Sequence, residues 1–370
     1  MNTTVSLRKT LHDNTIPAAP ELAWREGDAI RCVACGHRCL VNPGRAGVCR
    51  VRFNEDGELR TPGGYVAGLQ IDPIEKKPFY HAFPGRDALS FGMLGCDFHC
   101  GYCQNWVTSQ ALRDDMAIAM PTFCSPREMI DIAVRRGAPV VVSTYNEPLI
   151  TSEWAVEVFR VAREKGLTCG YVSNGNATPE ALKYLRPYVD LYKVDLKGFD
   201  DKRYRELGGV LANVLSTIET LVAMKFWVEI VTLVVPGFND SDEELTQIAK
   251  FIAGVSTDTP WHVTAFRPDY RMQDRGRTPG DTLHRAYEMG RAAGLKYVYP
   301  GNHHGRVGDR ECTKCPSCES IVIRRMGFYV EENRMSEPGR CPDCGAAIAG
   351  VWESAPPKKS TGSGIPMPVL

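Results

Sequence analysis

The sequence predicts an α/β protein in which parallel strands alternate with helices to form an open, partial barrel between two cysteine-rich modules. Short β-branched runs alternate with amphipathic stretches from residue 88 to residue 299, the pattern of repeated strand–helix units. The seven runs are too few for a closed eight-stranded barrel and suit an open one. The predicted strands span residues 88–94, 139–143, 168–173, 191–195, 226–234, 262–266 and 296–299.

Helix start signals stand between these strands. Ser125 and Thr178 each precede a proline, which favours the first turn of a helix. Ser241 is followed three residues later by Glu244, the pattern of a capping box. These signals support helices between the strands.

The composition divides the chain into four parts. Residues 1–66 are predicted to form an N-terminal arm and a cysteine-rich metal module, residues 67–309 the barrel, and residues 310–352 a second cysteine-rich module. Residues 353–370 have too little apolar content to fold and are predicted to be a flexible tail.

Charge and hydropathy argue against nucleic acid and membranes as partners. Lysine and arginine total 44 and so do aspartate and glutamate, so the chain has no overall attraction to a polyanion. The apolar run at 228–235 is far shorter than the ~18 residues that span a bilayer, and the polar start lacks a signal-peptide core. A cytoplasmic location is therefore expected.

Fourteen cysteines are the most informative feature of the composition. The cytosol keeps thiols reduced, so metal binding explains them better than a disulfide framework. Most fall in three clusters, whereas Cys124 and Cys169 stand alone and are predicted to pack as small apolar side chains.

The central cluster, Cys96-x3-Cys100-x2-Cys103, directly follows the first predicted strand. Three closely spaced thiolates can hold three irons of a [4Fe–4S] cube and leave the fourth iron open. The alternative is a structural zinc site with His99 as fourth ligand, but zinc sites favour paired short spacings.

With Tyr102 before its third cysteine, this motif resembles the signature of the radical S-adenosylmethionine (SAM) enzymes. Longer strings are similar to the radical SAM component of the AmmeMemoRadiSam system, which itself resembles the pyruvate formate-lyase activating enzymes. The resemblance runs from Cys32 to Trp352. The strings are SFGMLGCDFHCGYCQNW at 90–106, STYNEP at 143–148, VDLKGF at 194–199, VVPGFND at 234–240 and PIEKKPFYHAFPG at 73–85.

The resemblance implies a partial (β/α)6-type TIM barrel and a [4Fe–4S] cluster on Cys96, Cys100 and Cys103, with SAM chelating the open iron. One electron then cleaves SAM to methionine and a 5′-deoxyadenosyl radical, which abstracts hydrogen from the substrate. The resemblance also implies a one-electron donor such as a flavodoxin or ferredoxin, and a protein substrate or Memo-like partner.

Polar residues after successive predicted strands are candidates for the SAM pocket. Asn146 and Glu147 follow the second strand, and the matching motif of the activating enzymes contacts the SAM amino group. Asn174, after the third strand, offers an amide to ribose or carboxylate. Asp195 and Lys197 match an Asp-x-Lys element, with Asp195 accepting from ribose or amine and Lys197 donating to the carboxylate.

Other polar residues are weaker candidates. Tyr102 is assigned to cofactor binding, and His262 resembles a histidine that lies near the adenine. For each pocket residue the alternative is an ordinary core or loop polar group. Candidates to face an anionic substrate or partner are Arg267, Asn302, His303, His304, Lys76 and Lys77.

The two flanking clusters each offer four thiolates, enough to close a metal site. Paired CxxC motifs predict a structural zinc in a zinc-ribbon-like module, and Cys312 beside them is either a spare ligand or a free thiol. For the N-terminal set the spacing allows zinc, which we favour, or an auxiliary iron–sulfur cluster, with His37 as a bystander. The C-terminal set is Cys315, Cys318, Cys341 and Cys344, and the N-terminal set is Cys32, Cys35, Cys39 and Cys49.

The leading functional prediction is a radical SAM enzyme that acts on a protein, peptide or small substrate. The first alternative is an activating enzyme for a glycyl radical enzyme, although residues 104–124 lack the ferredoxin-like insert typical of many activases. The second is a non-catalytic metal-binding scaffold, which the open-iron motif disfavours because a structural cluster normally has four protein ligands.

Overall fold

The computed structural model describes residues 3–303 and 307–369 of the chain. Before the central sheet, one helix is followed by short strands that form two small antiparallel sheets, with orders β1-β6-β5 and β2-β3-β4. These elements are α1 Thr3–His12, β1 Thr15–Pro17, β2 Ala23–Glu26, β3 Ala29–Cys32, β4 Leu40–Val41, β5 Phe53–Glu55, β6 Glu58–Pro62 and β7 Tyr65–Val66.

The central region alternates strands with helices, and short 3-10 helices occur at Ile74–Lys76 and Pro148–Thr151. Its strands and helices are β8 Gly68–Pro73, β9 Asp87–Gly92, α2 Trp106–Ser109, β10 Thr122–Phe123, α3 Pro126–Arg136, β11 Val140–Ser143, α4 Ser152–Glu164, β12 Thr168–Ser173, α5 Pro179–Leu185, β13 Leu191–Asp195, α6 Asp201–Glu206, α7 Leu211–Ala223, β14 Trp227–Val234, α8 Asp242–Val255, β15 Trp261–Ala265, α9 Gly280–Ala292 and β16 Val298–Gly301.

The seven predicted strands are confirmed, each within three residues of its predicted ends. They run parallel in the order β9-β11-β12-β13-β14-β15-β16, and helices connect each to the next. Most of their β-branched residues are buried, as expected where helices cover a parallel sheet. The sequence did not predict β8, which pairs antiparallel with β9, or the short pair of β7 with β10.

The helix starts have the predicted caps, with one difference. The Ser125 side chain accepts from the Glu128 backbone N–H and the Glu128 carboxylate accepts from the Ser125 N–H, so the complete capping box lies there. Ser241 caps α8 through the Glu244 N–H, but the Glu244 carboxylate accepts from the Phe199 N–H at 2.6 Å instead of closing a box. A tertiary contact has replaced the local one.

The two faces of the parallel sheet pack against different partners. On β11, Val141 belongs to the large core shared with the helices, whereas Val140 and Val142 pack in a smaller cluster with Ile74 and Phe79. The chain between β8 and β9 therefore fills one end of the sheet's inner side. This leaves the carboxyl ends of the strands for the functional groups.

The C-terminal region adds a small sheet and a further strand. A 3-10 helix at Gly308–Glu311 leads into an antiparallel sheet of order β17-β18-β19. The segment 353–370, predicted to be flexible, contributes a strand that pairs with β8. The polar composition of the segment as a whole concealed its apolar end, where Met367 and Val369 pack against the large core. The strands are β17 Thr313–Lys314, β18 Ile321–Met326, β19 Tyr329–Asn333 and β20 Met367–Pro368.

Candidate active site

The central cysteines lie on a loop that begins where β9 ends. Gly92 is required at this point, since a Cβ there would lie 2.2 Å from the carbonyl oxygen of Thr144. Arg113 fixes the loop by donating to the carbonyl oxygen of Cys96 at 2.7 Å and of Phe98 at 3.2 Å. The three thiols are thus presented at the carboxyl edge of the parallel sheet.

A cavity of about 370 Å³ opens beside this loop. Cys100 and Cys103 line it from one side, Asp195 and Lys197 line it from the carboxyl end of β13, and His262 lines it from the start of β15. Its wall contains charged, aromatic and aliphatic side chains. Such a mixed cleft suits a ligand that is charged at one end and aromatic at the other.

Asp195 is the centre of the charged part of the wall. It forms ion pairs with Lys193 and with Lys197, whose Nζ lies 3.3 Å from Asp195 Oδ2. Burial opposes ionisation of Asp195, but the two lysines outweigh it and lower its pKa to about 2. Despite its own burial, Lys197 has a raised pKa because Asp195 stabilises its charge. Both groups are therefore ionised at neutral pH.

Tyr102 and His262 supply the aromatic part of the wall. Tyr102 packs edge-on against Phe238, with ring centroids 5.8 Å apart, and its buried hydroxyl has no hydrogen-bond partner within the described residues. His262 Nε2 lies 2.7 Å from Glu229 Oε2. Burial lowers the pKa of His262, against the influence of Glu229, so the ring favours the neutral form.

Glu147 lies in a buried hydrogen-bond network outside the lining of this cavity. Its carboxylate accepts from the backbone N–H of Leu149 and Asn174, at 3.1 and 2.7 Å, and from the Ser173 hydroxyl at 2.7 Å. Burial and the nearby Asp97 raise the pKa of Glu147 to about 8. Burial thus opposes ionisation of this carboxyl group, while the three hydrogen bonds that it accepts favour it.

Asp97 links this network to the cysteine loop. Its carboxylate is fully buried and accepts from the side-chain amides of Asn174 at 2.7 Å and Asn176 at 2.9 Å. Asn146 adds a second link, because its Oδ1 accepts from the Met93 N–H at 3.0 Å. The structure thus brings Asn146, Glu147 and Asn174 to the base of the loop, and their contact with SAM stays a prediction.

Two further lysines, Lys193 and Lys77, line the cavity. Lys193 was not predicted, because it lies inside β13 and the candidates were sought after the strands. Side chains two residues apart on a strand lie on the same face, so Asp195 was the signal that could have indicated Lys193. Lys77, a candidate to face an anionic substrate or partner, lines the cavity, is buried, pairs with Asp72 and lies 4.3 Å from the Tyr145 ring centroid. Burial lowers its pKa to about 8, against the opposing effect of Asp72.

The remaining candidates fall in different places. Lys76 and Asn302 line the cavity, as does Glu75 beside them. The Arg267 side chain is 61% exposed and faces Asp269. His99, considered as the fourth ligand of a zinc site, is exposed. His303 lies close to Gly280, and His304 lies outside the described residues.

The donor set of the loop fits an iron–sulfur cluster better than a single ion. Cys96, Cys100 and Cys103 are free thiols, and burial raises the pKa of Cys100 to about 12, so it binds a metal only by releasing a proton. A metal ion with four ligands requires ligand atoms close together. Among residues 3–303 and 307–369, the group whose ligand atoms all lie within 4.8 Å of one another is a different set of cysteines.

That closely spaced set is the C-terminal one. Cys315 Sγ lies 3.5 Å from Cys344 Sγ, and Cys318 Sγ lies 3.7 Å from Cys341 Sγ. A tetrahedral zinc with Zn–S bonds of ~2.3 Å places its sulfurs about 3.8 Å apart. These four residues therefore fit one such ion. Cys312 lies apart, its sulfur 3.5 Å from the Arg325 backbone nitrogen.

Comparison with known proteins identifies the class. The family profile of the radical SAM superfamily matches residues 92–252, from the end of β9 into α8. The chain is 35% identical over 326 residues to the uncharacterized protein MJ0808 of Methanocaldococcus jannaschii, covering 87% of this chain and 96% of that protein. The chain belongs to the radical SAM superfamily and is an enzyme of this kind.

Two activating enzymes are more distant relatives. The isethionate sulfite-lyase activating enzyme of Oleidesulfovibrio alaskensis is 27% identical over 218 residues, which cover 53% of this chain and 66% of that protein. The pyruvate formate-lyase-activating enzyme of Staphylococcus aureus is 29% identical over 169 residues, 43% of this chain and 66% of that protein. The chain thus spans just under two thirds of each activating enzyme.

A further finding concerns membranes. Among the helices of the described ranges, none has both the length and the apolar character needed to cross a bilayer.

Proposed function

We propose that the enzyme reductively cleaves SAM at a [4Fe–4S] cluster held by Cys96, Cys100 and Cys103 and then abstracts hydrogen from a protein, peptide or small substrate. The observation that carries this proposal is the cysteine loop at a cavity that Asp195 and Lys197 also line. When bound, a cluster with one iron free of protein ligands supplies the electron that breaks a carbon–sulfur bond of SAM.

The ionised pair in the cavity wall has the charges that SAM requires. Lys197 offers an ammonium to the SAM carboxylate, and Asp195 offers a carboxylate to the amine or the ribose hydroxyls. The neutral His262 and the Tyr102 ring offer surfaces to the adenine. In this proposal Asn146, Glu147 and Asn174 hold the cysteine loop in place, and the Glu147 segment contacts the SAM amino group.

A second candidate is the activation of a glycyl radical enzyme. The two distant relatives named as activating enzymes favour it. A role as the radical SAM component of an AmmeMemoRadiSam system, with a Memo-like partner, rests on the strings in the sequence. Either role needs a low-potential one-electron donor such as a flavodoxin or ferredoxin.

The test is SAM cleavage after anaerobic reconstitution with iron and sulfide. Wild-type protein reduced with dithionite should form 5′-deoxyadenosine, and the Cys96→Ala/Cys100→Ala/Cys103→Ala variant should form none. Cys124→Ala is the matched control, since Cys124 is a buried free cysteine outside the three sets, and it should keep the activity. Retention of 5′-deoxyadenosine formation by the triple variant would overturn the assignment.

A further inference from the structure

The N-terminal cysteines converge on one place beside the central loop. Cys32 at the end of β3 donates its backbone N–H to the Cys39 carbonyl at 2.8 Å. Cys39 Sγ lies 3.5 Å from the Val48 nitrogen, next to Cys49. Cys32, Cys35 and Cys49 are all less than a tenth exposed. Four thiols from one module thus share a single, largely buried site.

The spacing of these four sulfurs argues against a single ion. The C-terminal cysteines all lie within 4.8 Å of one another, whereas the N-terminal four do not form such a group in the described part of the chain. The three central cysteines share this wider spacing. In a [4Fe–4S] cluster each cysteine binds a different iron, so the cysteine sulfurs lie further apart than the about 3.8 Å between sulfurs around one zinc ion. The wider spacing therefore suits a cluster.

The N-terminal module touches the central loop through backbone and charged groups. One guanidinium, that of Arg113, donates to the Cys96 carbonyl at 2.7 Å and to the Val48 carbonyl at 2.6 Å. At Gly95, a Cβ would lie 3.4 Å from the carbonyl oxygen of Cys49. Asp97, which follows Cys96, lies 3.9 Å from His37 Nε2. The two cysteine sets are therefore adjacent.

From this arrangement we propose that Cys32, Cys35, Cys39 and Cys49 hold a second iron–sulfur cluster that passes electrons to the central one. The relay role rests on the proposed function; the presence of the cluster does not. A reduced flavodoxin or ferredoxin gives one electron to the N-terminal cluster and is itself oxidised. The N-terminal cluster then returns to its oxidised state as the same electron moves to the central cluster. This replaces our preference for zinc at these residues.

The surface around the N-terminal set is suited to such a donor. Leu40 and Val48, each next to one of the cysteines, are 47% and 46% exposed. Arg45 and Arg50 are exposed on the same segment. A positive surface with apolar side chains favours an acidic protein partner that docks briefly.

The first test is metal content, which needs no activity. After anaerobic reconstitution, wild-type protein should hold about eight iron ions per chain, four for each [4Fe–4S] cluster. The Cys96→Ala/Cys100→Ala/Cys103→Ala variant should keep about four, with the electron paramagnetic resonance signal of a reduced cluster. Zinc in place of that residual iron, or an absent signal, contradicts the proposal even if wild-type protein cleaves SAM.

The second test addresses the relay. In Cys39→Ala/Cys49→Ala, about four iron ions should be lost, cleavage of SAM driven by dithionite should persist, and cleavage driven by reduced flavodoxin should be lost. Cys312→Ala is the control, because this buried free cysteine lies outside all three sets. Unchanged flavodoxin-driven cleavage overturns the relay. Failure of SAM cleavage in wild-type protein with full iron overturns the proposed function and leaves the N-terminal cluster standing.

Discussion

Asp195 is only partly buried, and two lysines pair with its carboxylate. The pair with Lys197 and the pair with Lys193 share one carboxylate, so one lysine balances its charge and the other is left in excess. The three groups together leave one positive charge in the cavity wall. That excess charge is available to an anionic group such as the SAM carboxylate.

Lys197 is the residue whose replacement tests the proposed contact with the SAM carboxylate. Replacing it with alanine should weaken SAM binding by about 1.5–3 kcal/mol, the range for a hydrogen bond to a charged group. Cluster content should be unchanged, because Lys197 is not a cluster ligand. The measurement is anaerobic calorimetry of SAM binding to iron-loaded protein.

Lys202→Ala is the matched control, since Lys202 is exposed on α6, and its affinity should equal that of wild type. If Lys197→Ala also binds SAM with unchanged affinity, the assignment of Lys197 to the SAM carboxylate is wrong.

At the scale of elements, the sequence predicted the parallel strands and missed the antiparallel ones. The parallel strands are buried β-branched runs such as VVVS at Val140–Ser143, which stand out from their helical neighbours. β8 contains Gly68 and ends at Pro73, and β20 is two residues long. Glycine, proline and shortness remove the signals on which strand prediction depends.

The residues of the candidate site were likewise predicted only in part. Cysteine spacing and polar residues after strands pointed to Cys96, Asp195 and Lys197, all of which lie around the cysteine loop and its cavity. Asp97 was not predicted, because only the folded chain brings Asn174 and Asn176 to it. Long-range hydrogen bonds leave no periodic trace in a sequence.

The element-scale prediction concerns the C-terminal module. Cys318→Ser/Cys344→Ser should lose one zinc ion per chain and make residues 310–352 sensitive to protease, because a closed thiolate site contributes folding free energy directly. Metal analysis and limited proteolysis of the full chain measure both effects. Cys312→Ser should keep its zinc and its resistance. Equal zinc content in the double variant and wild type would show that these cysteines are not ligands.

At the scale of the whole molecule, a buried ion pair joins the N-terminal module to the barrel. Arg52 donates two hydrogen bonds of 2.7 Å to Glu153 on α4, and both side chains are almost completely buried. Arg52→Met should lower the free energy of unfolding by about 3–5 kcal/mol, because Glu153 is left buried without its partner. Urea denaturation measures this loss.

Two variants control this prediction. Arg25→Met removes an exposed arginine that donates to the Gly57 carbonyl, and it should cost far less. Arg52→Met/Glu153→Leu removes both charges and should recover part of the lost stability. A loss in Arg52→Met no larger than in Arg25→Met would mean that the ion pair does not join the two parts.

The strand β20 has a consequence for the order of folding. Met367 pairs with Ile71, far earlier in the chain, and contacts so distant in sequence form late because loop closure is costly in entropy. Until then β8 offers a free hydrogen-bonding edge. A second copy can supply its own β20 to that edge, so refolding at high concentration should produce dimers that have exchanged this strand.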